Sequence, residues 1–255
     1  MEVYWFEQTE ADLPAGNDWL HANETVHMDT LRFAKRRNDW RLGRWTAKKA
    51  LALCLNIPAS SQDLASIEIR PAPSGAPEVF FENKPAAATI SISHRAGTAA
   101  CAVTLSSGIL GCDLELIEPR SGAFLADYFT TEEQSLVAGA PAGDRSRLLA
   151  LLWSAKESTL KALCTGLRLD TRSVIVGVIG GQPAESEDAR WPVGDQDCLV
   201  RSTHLFEGWR PLQVRRSEGV LFYGWWLLTD ALVRTVVGLP PLEPPILLTS
   251  APCPN

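Results

Sequence analysis

Two short stretches carry the residue types from which chemistry could be built. In GCDLE at 111–115 the side chains of a strand alternate, so Asp113 and Glu115 share one face while Cys112 and Leu114 share the other. In LLALLWSAKESTLKAL at 148–163 apolar residues at helical spacing predict an amphipathic helix, with Lys156, Glu157 and Lys161 set among them. Because residues four apart lie on one helical face, Trp153, Glu157 and Lys161 point the same way. Read separately, Glu157 and Lys161 are an ordinary surface pair worth about 0.3–0.5 kcal/mol, and Asp113 and Glu115 are the solvent face of an edge strand. Read together, the three carboxylates require a cation, since like charges about 4 Å apart repel by roughly 4 kcal/mol at an effective dielectric of about 20. Oxygen ligands of this kind suit a hard divalent ion such as Mg²⁺, which keeps positions open for water and substrate phosphate.

A second charged feature lies upstream. The stretch from Met28 to Leu55 contains no proline and one glycine, Gly43, and predicts a single long helix that stops before Pro58. On it, Arg37, Arg41, Arg44 and Lys48 fall in one stripe, with Asp39 the nearest opposite charge. The stripe is either a solvated face or a site for an anion, most simply a phosphate. His94, in SHRAG at 93–97, sits at a strand end, where it is either a surface residue or a participant in the same site. No Walker-type glycine-rich loop is present, so nucleoside-triphosphate chemistry of that kind is not supported.

The elements that must position these residues can be read in outline. Val3 to Phe6 is expected to be a strand, and Ser66 to Arg70 another, followed by a turn in PAPSGAP at 71–77. Runs at Thr89–Ser93, Ala99–Leu105 and Ile109–Ile117 read as an antiparallel meander. Thr130 with Glu133 makes a capping box that opens a short helix, and Gly166 is placed to end the helix carrying Glu157. Strands are expected at Val174–Val178, Leu199–Phe206, Pro211–Arg216 and Val220–Leu228. The organisation is α+β, with an N-terminal half at 1–108, a C-terminal half at 109–238 and a poorly ordered proline-rich tail at 239–255.

Composition narrows the function classes. With 255 residues and 45% hydrophobic content the chain can bury a sizeable core, and its net charge of −6 argues against a generic nucleic-acid binder. The acidic N-terminus lacks the features of a signal peptide and no run suits a membrane span, so a cytoplasmic protein with no membrane partner is expected. Its six cysteines form no CxxC pair and read as free thiols.

The pairing of G-C-D-L-E at 111–115 with W-S-A-K-E-S-T-L-K at 153–161 resembles the two signature motifs of the 4′-phosphopantetheinyl transferases in their longer, Sfp-type form. Further matches are S-H at 93–94, L-G-R-W-T-A-K-K-A-L at 42–51, Y-F-T-T-E-E at 128–133 and G-L-R-L at 166–169, so the resemblance spans roughly residues 30 to 180. It implies two similar α+β halves related by a pseudo-twofold axis, with the active site between them. It also implies transfer of the phosphopantetheine arm of coenzyme A, the substrate, to a serine of an apo carrier protein, releasing 3′,5′-ADP. On the matching positions, Asp113, Glu115 and Glu157 would hold Mg²⁺, with Mn²⁺ as an alternative. Glu157 would be the base and Lys161 would hold the diphosphate and assist the leaving phosphate. Ser93, His94 and Lys156 would contact coenzyme A, and Arg37, Arg44 and Lys48 would bind its adenosine 3′-phosphate region. The resemblance further implies a monomer, and a pathway-dedicated enzyme of secondary metabolism is the preferred setting.

Departures from the pattern are Arg95 after the S-H pair, Ala76 where a G-K-P turn with a phosphate-binding lysine is common, Thr165 for a glycine and Cys112 for an aliphatic residue. Two other readings stand beside the transferase. One is a non-catalytic relative that binds coenzyme A or a carrier protein; the other is a different Mg²⁺-dependent phosphotransferase built on the same cluster.

Overall fold

In the computed structural model, which describes residues 1–178, 208–229 and 231–249, two long helices each lie against a sheet. The chain is α+β. Strand β1 (Tyr4–Thr9) is followed by α1 (Ala22–Thr30), α2 (Ala34–Leu55) and α3 (Ser61–Ser66). Three short strands, β2 (Ile67–Pro71), β3 (Pro77–Phe81) and β4 (Lys84–Pro85), make a small sheet of their own. Next come β5 (Thr89–Arg95), β6 (Thr98–Thr104) and β7 (Ile109–Leu116). Helices α4 (Gly122–Tyr128), α5 (Thr131–Gly139) and α6 (Arg145–Ala162) follow, then β8 (Val174–Val178), β9 (Arg210–Arg216), β10 (Leu221–Leu228), β11 (Leu232–Leu239) and β12 (Ile246–Leu247). The larger sheets run β12-β1-β6-β5 and β7-β11-β10-β9-β8.

Three expectations are corrected. The predicted helix over 28–55 is two helices, because Leu31 and Phe33 are extended at the break and the Thr30 hydroxyl takes the His27 carbonyl at the end of α1. The predicted meander stops after β6: both edges of β6 are already paired, with β1 and β5, so β7 pairs instead with β11, which is not among the expected strands. The start of the proline-rich tail is ordered, since the amides of Ile246 and Leu248 donate to the carbonyls of Val3 and Trp5. Alternate residues suffice for such an edge, and the prolines, which lack an N–H, stand outside the donating positions, though the Pro241 carbonyl accepts from the Met1 ammonium at 2.6 Å. The strand expected at Leu199–Phe206 lies outside the described residues.

Small side chains set the layering. Ala100 and Ala102 on one face of β6, with Val3 and Trp5, meet Leu110, Cys112 and Leu114 of β7 and Val236 of β11 in a middle core. The opposite face of β6, through Cys101 and Val103, packs on Ala47, Ala50 and Leu51 of α2. On the far side, Leu149, Leu152 and Leu160 of α6 share a core with Val174, Val214, Phe222 and Val233. Each buried leucine or valine contributes about 1.5–3 kcal/mol.

Under each long helix lies the same polar clamp. Glu24, the third residue of α1, caps the His21 amide at 3.0 Å and accepts from the Ile69 amide of β2 at 3.1 Å. Against it stands Lys48 of α2, whose ammonium is 2.5 Å from Glu24 Oε2 and also donates to the carbonyls of Trp19 and Leu64. In the second set, Glu133 caps Thr130 at 2.9 Å and accepts from the Val176 amide of β8 at 3.1 Å. Lys156 of α6 pairs with Glu133 at 2.8 Å and donates to the carbonyls of Thr171 and Val174. Both lysines are 0% exposed and both glutamates 3%. Burial depresses both ammonium pKa values, and the partner carboxylate opposes that fall.

The clamps correct two site assignments. Lys48 and Lys156 have their ammonium groups sealed among backbone carbonyls and a carboxylate, so neither is available to coenzyme A. Replacing either by methionine strands a buried carboxylate and is predicted to lower stability by about 3–5 kcal/mol. Urea denaturation reads this, and a midpoint unchanged from the parent would overturn the structural role of that lysine.

Candidate functional site

Strand β7 and helix α6 touch closely because Gly111 has no side chain: a Cβ there would fall 1.9 Å from the Ser158 carbonyl oxygen. That approach brings the charged face of α6 over the Asp113–Glu115 face of β7. Lys161 donates to Asp113 Oδ1 at 2.8 Å and to the Cys112 carbonyl at 3.0 Å, and Trp153 Nε1 donates to Glu115 Oε1 at 3.1 Å. The shared helical face of Trp153, Glu157 and Lys161 and the shared strand face of Asp113 and Glu115 therefore meet, and both strand carboxylates are buried rather than solvated. Ser93 reaches across from β5: its hydroxyl donates to Asp113 Oδ1 at 2.8 Å and accepts from the Leu114 amide at 3.2 Å. Its hydroxyl is thus spent on positioning Asp113.

The acidic face has a particular electrostatic state. Burial, then the charge of Asp113, pushes the Glu157 carboxyl up to about 7. Glu115 is also raised, by burial and by Asp113, against the opposing pull of Arg95 and Arg120. Lys161 is raised although burial works against it, because Asp113, Cys112 and Glu157 together favour its charged form. One oxygen, Asp113 Oδ2, is buried with no hydrogen-bond partner among the described residues. A buried carboxylate oxygen without a donor, beside a carboxyl pushed up by its neighbours, fits a bound cation. The three carboxylates do not form a ready cage: among the described residues no group of three candidate ligands stands at metal-binding spacing. Glu115 is held elsewhere, its Oε2 at 2.9 Å from Arg120 and 3.6 Å from Arg95. Both arginines also engage Glu118, at 2.6 Å from Arg95 and 3.2 Å from Arg120. Arg120 and Glu118 escaped the sequence reading because they follow the strand in a loop with no periodicity.

Beside Lys161 opens a cavity of about 630 Å³ between the turn at 71–77, β5, the start of β7 and the end of α6. Its charged lining residues are Arg44, Lys161 and Arg168, with no acidic residue among them. A second cavity of about 550 Å³ shares Arg44 and Ile92 with the first; its other charged or titratable lining residues are Lys35, Arg36, His94 and the acidic Asp39, which pairs with Lys35 at 2.8 Å. Arg44 stacks on Trp40 with the ring centre 5.1 Å away, and burial lowers its pKa against the pull of Glu24. Of the basic stripe, Arg41 is committed to the carbonyls of Pro14, Ala15 and Gly16, Lys48 to its clamp, and Arg37 lines neither cavity. The stripe thus divides, with Arg44 the member that faces cavity space.

Comparison with known proteins places part of this face. Residues 109–194 match the family model described as the 4′-phosphopantetheinyl transferase superfamily. That segment is similar to this superfamily. It holds Asp113, Glu115, Glu157, Lys161 and Arg168, whereas Arg44 and His94 lie outside it. No curated protein matches the chain. Among solved structures, the chain is similar to the Helicobacter pylori holo-[acyl-carrier-protein] synthase in complex with coenzyme A, at 18% identity and a TM-score of 0.33, over 41% of this chain and 99% of that one.

The raised pKa of Glu157 has a measurable consequence for stability. Between its ordinary 4.5 and about 7 the folded protein holds a proton there that the unfolded chain has released, so stability falls as pH rises through that window. Glu157→Gln removes the charge and is predicted to raise stability at pH 8, in metal-free buffer, by about 1–2 kcal/mol after allowance for solvent screening, with no gain near pH 4. Equal changes in denaturation midpoint at the two pH values would overturn this account.

Proposed function

We propose that this protein transfers the 4′-phosphopantetheine group of coenzyme A to a serine hydroxyl of an apo acyl or peptidyl carrier protein, releasing 3′,5′-ADP. The observation that carries the reading is that Lys161, paired with Asp113 and next to Glu157, lines a cavity whose charged side chains are all cationic. Such a cavity suits a polyanionic nucleotide, and the adjoining carboxylates suit the activation of an alcohol. The superfamily match over 109–194 supports the same reaction class.

In this reading the serine oxygen forms a bond to the phosphorus that bears the pantetheine arm, and the bond from that phosphorus to the bridging oxygen of the diphosphate breaks. Glu157 accepts the serine proton, directly or through one water. Lys161, held by Asp113 and the Cys112 carbonyl, faces the charge that grows on the departing phosphate of 3′,5′-ADP. Asp113, through its free Oδ2, and Glu157 are the residues that would hold Mg²⁺, with Glu115 fixed behind them by Trp153 and Arg120. A bound Mg²⁺ would neutralise diphosphate charge there. Arg44, which lines both cavities, and His94, which lines the second, are assigned to the nucleotide end of coenzyme A, with Arg37 as an outer contact.

The repeated clamp under α2 and α6 supports two halves, 1–108 and 109–238, related by a pseudo-twofold axis, as in the longer, Sfp-type form. Both walls of the site come from one chain, which suits a monomer, and a cytoplasmic setting accords with the absence, among the described residues, of a helix fit to cross a membrane.

Intact mass spectrometry of apo carrier proteins incubated with this protein, coenzyme A and Mg²⁺ tests the reaction. The expected result is a metal-dependent gain of one phosphopantetheine group on the carrier serine. Glu157→Gln and Lys161→Ala are each expected to lower the rate by about 10²-fold or more with the fold intact. Binding of coenzyme A with no transfer to any carrier type would instead identify a non-catalytic binding protein.

A further inference from the structure

We infer that Arg168 contacts a phosphate group of the ligand in the 630 Å³ cavity and supplies the cation that the turn at 71–77 lacks. This rests on the coenzyme A reading given above. The turn presents Ser74, Gly75 and Ala76 to the cavity and carries no charge of its own. Of the three lining cations, two are already neutralised in part: Lys161 pairs with Asp113 at 2.8 Å, and Arg44 lies 3.7 Å from Glu24. Arg168 differs. Its Nε donates to the Thr165 carbonyl at 3.0 Å, and one terminal nitrogen donates to the carbonyls of Cys164 and Ser74 at 3.1 and 3.2 Å. All three acceptors are neutral, and the other terminal nitrogen has no partner among the described residues.

The guanidinium is therefore held in place while no acidic residue among the described residues compensates its charge. Its bond to Ser74 crosses 94 residues of sequence and ties the turn to the end of α6, so the charge stands where the two walls of the cavity meet. Fixing an arginine fork with neutral carbonyls leaves donors oriented for an incoming anion, and charge-assisted bonds of this kind are about twice as strong as neutral ones. The apolar remainder of the lining, with Ile109, Leu160 and Leu167, suits the uncharged parts of a nucleotide rather than a second ion.

Titration calorimetry of the whole protein without metal or carrier separates the contact from a merely structural strap. Arg168→Gln keeps an N–H donor toward Ser74 and removes the charge; Arg168→Lys keeps the charge. The expected result is a loss of coenzyme A affinity of roughly tenfold or more in Arg168→Gln, a loss under about threefold in Arg168→Lys, a weaker salt dependence in Arg168→Gln, and unchanged thermal midpoints for these exposed positions. Coenzyme A affinity in Arg168→Gln equal to the parent would overturn the inference and leave the proposed function standing. Failure of the parent protein to bind coenzyme A at all would overturn both.

Discussion

The structure depends on burying two ammonium groups without leaving either unpaired. Lys48 and Lys156 have no solvent contact, and each is admissible there because a helix-capping glutamate and two backbone carbonyls converge on it. In that arrangement one carboxylate does three tasks: it caps a short helix, accepts a strand amide and neutralises a lysine. The long helices α2 and α6 are thereby fixed in rotation as well as position, since a lysine can reach its clamp from one face only. That rotation is what turns Arg44 on α2 and Lys161 on α6 toward the cavity, and Glu157 toward Asp113.

The two sheets meet through hydroxyls and small side chains. Ser91 accepts from the Cys112 amide and Ser93 from the Leu114 amide, so β7 is bonded along one side to side chains of β5 and along the other to β11. This leaves β7 enclosed on all sides, and its two carboxylates are carried inward with it. The result is a buried acidic strand whose charge is balanced at one end by Lys161 and at the other by Arg95 and Arg120, with Asp113 Oδ2 left over. Arg95, a departure from the family pattern, belongs to this balance: it faces Glu115 and Glu118 rather than the cation-lined cavity.

What could be read from the sequence was what depends on local periodicity. Strand alternation placed Asp113 and Glu115 together, helical spacing placed Trp153, Glu157 and Lys161 together, and the Thr130–Glu133 capping box stands where it was expected. These survive because a side chain's direction along one element follows from backbone geometry alone. Break points without proline or glycine, such as Leu31 to Phe33, gave no such signal.

The tertiary structure decided which charges are free. In the sequence, Arg37, Arg41, Arg44 and Lys48 form one stripe, and the resemblance assigns both Lys156 and Lys161 to coenzyme A; in the fold, Arg41, Lys48 and Lys156 are consumed by internal carbonyls and carboxylates, while Arg44 and Lys161 face the cavity. It also chose the partner of β7 and brought Arg168 to a turn 94 residues away. Periodicity fixes where a side chain points along its own helix or strand. Whether a carboxylate from elsewhere is waiting there is a matter of long-range packing, and that determines whether a cation holds the fold or meets a ligand.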